Sequence, residues 1–405
     1  MLLYWIWFSE LKNISLQQKR HLLEQFGDPE ELYHSSDPVY RNLGISESLR
    51  QALQEKSLQG AEEILRSCNR KGIGILPVSD LAYPGRLRNT ADAPILLYYK
   101  GILPNWEDRP FVGIVGTRKA SGYGLQTAHQ MGGQIAAGGG YVVSGGASGV
   151  DTAAMQGALE AGKSVVGVLG CGVDVYPRYN RKLFETVASQ GCLISEYPPG
   201  EQALAWHFPM RNRIISGISN GVLVVEAPER SGALITARRA LEQGRDVFAV
   251  PGNINTASCA GSNALLQEGA IPVISGWDVL REYEALYPRK LKMYREIPLY
   301  TGEKQPAKVA QKPVSPGENR TEPMQPEKKF IDNREITTYS GLNNSHPALN
   351  ETEQAVLALL TGEPKESAEL ITKLDIPSGK VMSVLTMLTV KGLVCKHPGG
   401  RFSLK

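Results

Sequence analysis

The sequence predicts an α/β fold: a doubly wound, extended Rossmann-like, mostly parallel sheet, with a small N-terminal helical domain before it and a C-terminal winged-helix domain after it. Three observations carry this. Apolar runs of strand length recur without alternation between residues 105 and 285, helix-length segments separate most of them, and glycines gather just behind them. Strands apolar on both faces and spaced by helices form a parallel sheet covered on each side.

Residues 1–70 read as a small helical domain of the helix-hairpin-helix or SAM-like kind. The opening MLLYWIWF lacks a basic flank and a small-residue cleavage site. Polar residues from Ser9 stop it far short of the roughly 20 residues of a membrane span, so it reads as a buried helix start or strand. Leu11 to Phe26 has helical spacing and ends at Gly27-Asp28-Pro29; amphipathic stretches follow at Glu30–Tyr33 and Glu47–Leu65.

Residues 71–290 form the core domain. A lead-in with turns at Tyr83-Pro84 and Ala93-Pro94 precedes the apolar run Ile95–Tyr99. Strands are expected at Phe111–Val115, Tyr141–Val143, Ser164–Leu169, Cys192–Ser195, Gly221–Val225, Asp246–Val250 and Ile271–Ile274. Helices are expected at Leu125–Ala137, Thr152–Leu159, Arg178–Ser189, Asn212–Ile218 and Ala233–Gln243. Residues 291–349, rich in Pro, Glu, Lys, Gln, Ser and Asn, lack the apolar content to fold and read as a flexible linker.

In residues 350–405, helices at Gln354–Leu360, Ala368–Leu374 and Ser378–Thr389 precede a hairpin across His397-Pro398-Gly399-Gly400, the winged-helix arrangement. Its third helix would be the one offered to a DNA groove. That face holds Ser378, Lys380, Ser383 and Thr386 and is weakly basic, so protein contact and duplex binding both stay open.

The 405 residues carry 44 Lys+Arg against 41 Asp+Glu, so any nucleic acid would meet a local basic groove rather than a global excess of cation. Five scattered cysteines (Cys68, Cys171, Cys192, Cys259, Cys395) form no CxxC pair. They argue against a disulfide framework or structural zinc and fit the cytoplasm.

Glycines follow the strands at one sheet edge: Gly116-Thr117-Arg118, then Ser144-Gly145-Gly146-Ala147-Ser148-Gly149-Val150-Asp151, Gly170-Cys171-Gly172 and Pro251-Gly252. Ligands of open α/β sheets bind outside this edge, and glycine loops ahead of helix N-termini suit an anion, most economically a phosphate. An NAD fingerprint fails, because no acid ends the second strand. A literal P-loop pattern, Gly157 to Ser164, runs from a helix end into a strand instead of strand–loop–helix. No GxSxG elbow or readable triad appears; His207 reads as a packing residue and Asp151 as a helix start. No cofactor or metal is expected. Phe208-Pro209-Met210-Arg211-Asn212-Arg213 sets an aromatic beside two guanidiniums and an amide, and Arg118, Lys119, Lys163, Arg178, Arg181 and Lys182 add charge. Aromatic stacking with cations on phosphates holds single strands without reading sequence.

The chain resembles the DNA-processing protein A (DprA/Smf) family. The resemblance rests on Gly113–Arg118 (GIVGTR), Ser144–Asp151 (SGGASGVD), Leu169–Pro177 (LGCGVDVYP), Ser195–Gly200 (SEYPPG), Phe208–Gly217 (FPMRNRIISG), Val225–Ala227 (VEA), Ser231–Ala237 (SGALITA) and Gly244–Gly252 (GRDVFAVPG). The resemblance implies a non-catalytic protein that binds single-stranded DNA, protects incoming DNA in natural transformation (competence) and helps load a RecA-type recombinase, acting as a homodimer. It places DNA contacts at Arg118 and Lys163, with the amides of Ser144, Gly145 and Gly146 around a phosphate and Arg211, Asn212 and Arg213 bordering the pocket; Phe208 and Gly149 are expected to join the DNA-binding residues. It places subunit pairing at Asn263, Leu265 and Leu266. The alternative is a nucleoside-monophosphate hydrolase of the related glycine-loop class, against which stands the lack of a PGGxGTxxE-type stretch in residues 228–242.

Overall fold

The computed structural model describes residues 1–162, 165–293, 351–360, 364–374, 381, 384, 385, 388, 389, 393–397 and 401–404. The expected linker from 294 onward, Lys163, Ser164 and the winged-helix positions Ser378, Lys380, Ser383 and Thr386 lie outside the described residues. The chain divides after Ala307 into two compact units.

The first unit opens with the helix Leu2–Glu10, whose Trp5, Ile6, Trp7 and Phe8 are buried. The next helix begins at Leu16, later than the periodicity suggests, because Ser15 and Gln18 form a reciprocal capping box; Gly27, at φ 74°, ends it. The stretch 47–65 splits into helices Glu47–Leu53 and Gln59–Lys71. These helices share one apolar cluster with Tyr98, Val112 and Ile114 of the sheet, so the N-terminal segment packs on the core domain instead of enclosing a core of its own.

Strands β1 (Gly74–Pro77), β2 (Leu96–Gly101), β3 (Phe111–Val115), β4 (Tyr141–Ser144), β5 (Val165–Leu169), β6 (Cys192–Ser195), β7 (Gly221–Val224), β8 (Asp246–Ala249) and β9 (Ile271–Pro272) make one sheet in the order β1-β2-β6-β5-β4-β3-β7-β8-β9. From β6 to β9 the pairing is parallel, while β1 and β2 add an antiparallel edge. Alternation divides each strand between the two faces: Val112 and Ile114 join the cluster that holds the N-terminal helices, Phe111 and Val115 the opposite one.

The P-loop look-alike has a packing explanation. Gly157 lies inside the helix Val150–Ala161, where a Cβ would stand 1.9 Å from the His129 carbonyl of the helix Gly122–Ala137. Glycine there lets two helices touch; it serves no nucleotide.

The second unit contains helices Glu351–Leu359 and Ser367–Leu374, with further helical residues between 381 and 389. Strands Val394–His397 and Arg401–Leu404 form the expected hairpin, and Lys365–Glu366 adds a third strand. Val356, Leu370, Leu385 and Phe402 fill its core. Among the described residues of the chain, no helix is long and apolar enough to cross a membrane.

Candidate nucleic-acid interface

The sheet order reverses at β3: β4, β5 and β6 lie on one side and β7, β8 and β9 on the other. Loops leaving β3 and β7 therefore diverge, opening a crevice at the carboxyl edge. An open cavity of about 720 Å³ fills it, walled by residues 116–119, the first turns of the helix His207–Ile218, and Pro228 with residues 230–233, 235 and 236 behind β7. Helices starting at Gly122, Val150, His207 and Gly232 begin along this edge. Their unpaired N–H groups and dipoles favour an anion.

On one wall the Arg118 guanidinium lies over the Phe208 ring, 4.9 Å from its centroid. Arg118, Lys119 and Arg230 all line the cavity, are exposed, and have no acidic partner among the described residues. Asn212 joins the lining.

Beneath them Arg211 is buried at 4% exposure. Its Nη1 donates to the Gly145 carbonyl at 2.9 Å and to the Val168 carbonyl, and its Nε donates to Asn212 Oδ1 at 3.2 Å. A Cβ on residue 145 would fall 2.2 Å from both terminal nitrogens of that guanidinium, so any larger residue must displace it. Burial pushes the Asp151 carboxyl up from the ordinary range; the Arg211 charge and the N–H groups of Ala147 and Gly145 pull it back. The same burial lowers the Arg211 pKa, with Asp151 opposing the shift.

The glycine loop is consequently less open than the sequence suggests. Ser144, Gly145 and Gly146 are buried, Ser144 Oγ donates to the Ile114 carbonyl at 2.7 Å, and the Gly145 N–H serves Asp151. Gly149, at φ 86°, turns the chain into the helix Val150–Ala161. These residues support the cavity floor while Ala147 and Asp151 face the space above.

Arg213 leaves the cavity altogether. It is 2% exposed, pairs with Glu196 and donates to the Asp92 carbonyl at 2.5 Å. Arg181 pairs with Glu185 at 3.3 Å and lines a separate hollow with Lys100 and Tyr176. His207 packs as expected, stacked on Tyr197 with centroids 3.8 Å apart and Nδ1 3.0 Å from the Gly170 carbonyl. Asn263 clips the loop at Gly252 through two hydrogen bonds, Leu265 is buried, and Leu266 packs against the same core. Arg230 and Thr236 are cavity residues to which the sequence reading gave no role; an isolated loop cation and a mid-helix threonine carry no pattern of their own.

Fold and site together define a Rossmann-like α/β protein with a cation-lined crevice and a winged-helix domain. The family model for DNA recombination-mediator protein A matches residues 74–284, and that for the DprA winged helix domain matches residues 342–400. The DNA processing protein DprA of Streptococcus pneumoniae is 46% identical over 212 residues, 51% of this chain and 73% of that protein. Protein Smf of Synechocystis is 31% identical over 416 residues, 98% of each chain. The X-ray structure of the Streptococcus pneumoniae protein aligns with a TM-score of 0.60 at 35% identity, over 70% of this chain and 98% of that one. The chain belongs to the DNA-processing protein A (DprA/Smf) family.

Proposed function

We propose that this protein holds single-stranded DNA in the cavity at the β3–β7 crevice, without making or breaking bonds in it, and helps load a RecA-type recombinase in natural transformation and homologous recombination. The observation that carries the reading is the Arg118 guanidinium over Phe208 on a wall whose exposed cations lack acidic partners among the described residues. An aromatic face with cations beside it stacks a base and neutralises its phosphates whatever the sequence. Cytoplasmic action as a homodimer, paired through the surface of the segment that carries Asn263, Leu265 and Leu266, belongs to the same reading.

The absence of catalysis rests on the lining. Asp151 is the one carboxylate among the described lining residues, and its charge is engaged by Arg211 and loop N–H groups. His207 is buried in a stack. A nucleoside-monophosphate hydrolase needs a carboxylate free to meet the sugar, which this wall does not offer.

Titration of oligo-dT of increasing length tests the reading. Affinity is expected to rise with length, to weaken steeply with salt, and to fall on Arg118→Ala. Salt-insensitive or undetectable binding, or release of free base from nucleoside monophosphates, overturns it.

A further inference from the structure

The cavity has a second wall, facing the loop that carries Arg118. Behind β7 the chain runs through Arg230 into the helix Gly232–Glu242, whose N-cap Ser231 accepts the Ala233 N–H at 3.2 Å. The Gly232 N–H has no acceptor among the described residues, and a Cβ built on Gly232 would meet nothing within 4 Å, so open space lies before the helix start. One turn further in, Thr236 lines the cavity, is 1% exposed, and its hydroxyl has no hydrogen-bond partner among the described residues. A buried helix threonine ordinarily returns its hydroxyl to the carbonyl four residues back, as Thr186 does to Lys182 at 2.9 Å. The Thr236 hydroxyl is left facing the cavity instead, where a ligand oxygen can meet it.

We propose that Arg230, the free N–H at the start of the helix Gly232–Glu242 and the Thr236 hydroxyl form a second phosphate seat, which takes the phosphodiester next to the one held by Arg118. This rests on the single-strand reading above and deepens it. The strand then crosses the cavity, with one backbone phosphate at each wall and a base on Phe208 between them. Charge places the anion: Arg230 is an exposed cation without an acidic partner among the described residues, and the helix dipole adds to it. The partner is an internal phosphodiester, because the opposite wall supplies cations of the same kind, Arg118 and Lys119, and so continues the backbone track.

Fluorescence anisotropy of labelled oligo-dT over a range of salt concentrations tests this with the full chain. Arg230→Gln is expected to weaken binding roughly tenfold, the scale of a charged hydrogen bond, and to reduce the slope of log affinity against log salt by about 0.7, the value of one phosphate contact on a single strand. Thr236→Val is expected to weaken binding about threefold with the slope unchanged, while Thr236→Ser, which keeps the hydroxyl, binds like the original. Should Arg118→Ala weaken binding while Arg230→Gln keeps both affinity and slope and Thr236→Val matches Thr236→Ser, the second seat is overturned and the single-strand reading stands. An unsubstituted protein without affinity for oligo-dT overturns both.

Discussion

Arg118, in the loop behind β3, and Phe208, in the first turn of the helix His207–Ile218, meet with the guanidinium 4.9 Å from the ring centroid. The contact orients an exposed cation along an aromatic face, so charge and stacking surface reach a strand as one unit. Phe208→Ala is expected to cost about 1–3 kcal/mol of oligo-dT affinity, the value of base–aromatic stacking, with an unchanged salt slope. Arg118→Ala should lower affinity and flatten the slope by about 0.7. Because the two side chains touch, the double variant should lose less than the sum. Anisotropy titrations at several salt concentrations check all three.

Gly145 tests the floor. Its missing Cβ makes room for the Arg211 guanidinium, which would otherwise be 2.2 Å away. Gly145→Ala must expel a buried charge from its carbonyl partners, and about 3 kcal/mol of stability or more should go with it. Gly232→Ala, where the added Cβ meets nothing within 4 Å, should stay within about 0.5 kcal/mol. Urea unfolding of the two variants compares them directly.

Lys19 makes stability depend on alkaline pH. It is 8% exposed and donates to the Ser9 carbonyl at 2.5 Å. Burial pushes its ammonium down to about 8, against the pull of Glu10 and Glu196. In the unfolded chain the proton stays on until roughly 10.5. Between those values this lysine is protonated in the unfolded state and not in the folded one, so its own contribution to stability rises with pH, by roughly 3 kcal/mol across the window. Lys19→Met should remove that rise. Urea midpoints at pH 7.5 and 10, for both proteins, measure the difference.

Trp206 supplies an optical signal. It is 61% exposed beside the cavity residues Ala205 and Phe208, and its ring stands edge-on to His207 at 4.0 Å. Trp5, Trp7 and Trp106 are buried at 2%, 3% and 6% exposure, and Trp277 is partly buried. Oligo-dT is therefore expected to quench tryptophan emission mainly through Trp206. Trp206→Leu should abolish most of the change, as emission spectra across a titration would record.

Strands such as Phe111–Val115 and Val165–Leu169 were legible in the sequence because burial on both faces leaves unbroken apolar runs. The edge strand Gly74–Pro77 was not, since GILP is short and half-buried and ends in proline. At the site, Phe208 and Arg118 could be read as a pair of chemistries on one sheet edge. The direction of each arginine in Arg211-Asn212-Arg213 could not, because residues two apart on a helix face different ways. The glycine loop is ambiguous for a related reason: glycine marks close approach, and here the atoms that approach Gly145 belong to Arg211, inside the chain.

Arg213 should therefore behave as the opposite of Arg118. Its guanidinium pairs with Glu196, whose side chain is 25% exposed, and ties down the Asp92 carbonyl ahead of β2, away from the cavity. Arg213→Met leaves a half-buried carboxylate and a carbonyl without partners, which should cost about 3 kcal/mol of stability. Adding Glu196→Gln should restore part of it, since the stranded charge is then gone. Oligo-dT affinity of the folded double variant is expected to stay within about twofold, because removing both members of an ion pair leaves the net charge unchanged and alters little of the field at the cavity. Urea unfolding and anisotropy on the same samples separate the two quantities. An Arg213→Met protein of normal stability with lost DNA affinity would place that guanidinium at the ligand and undo its contrast with Arg118.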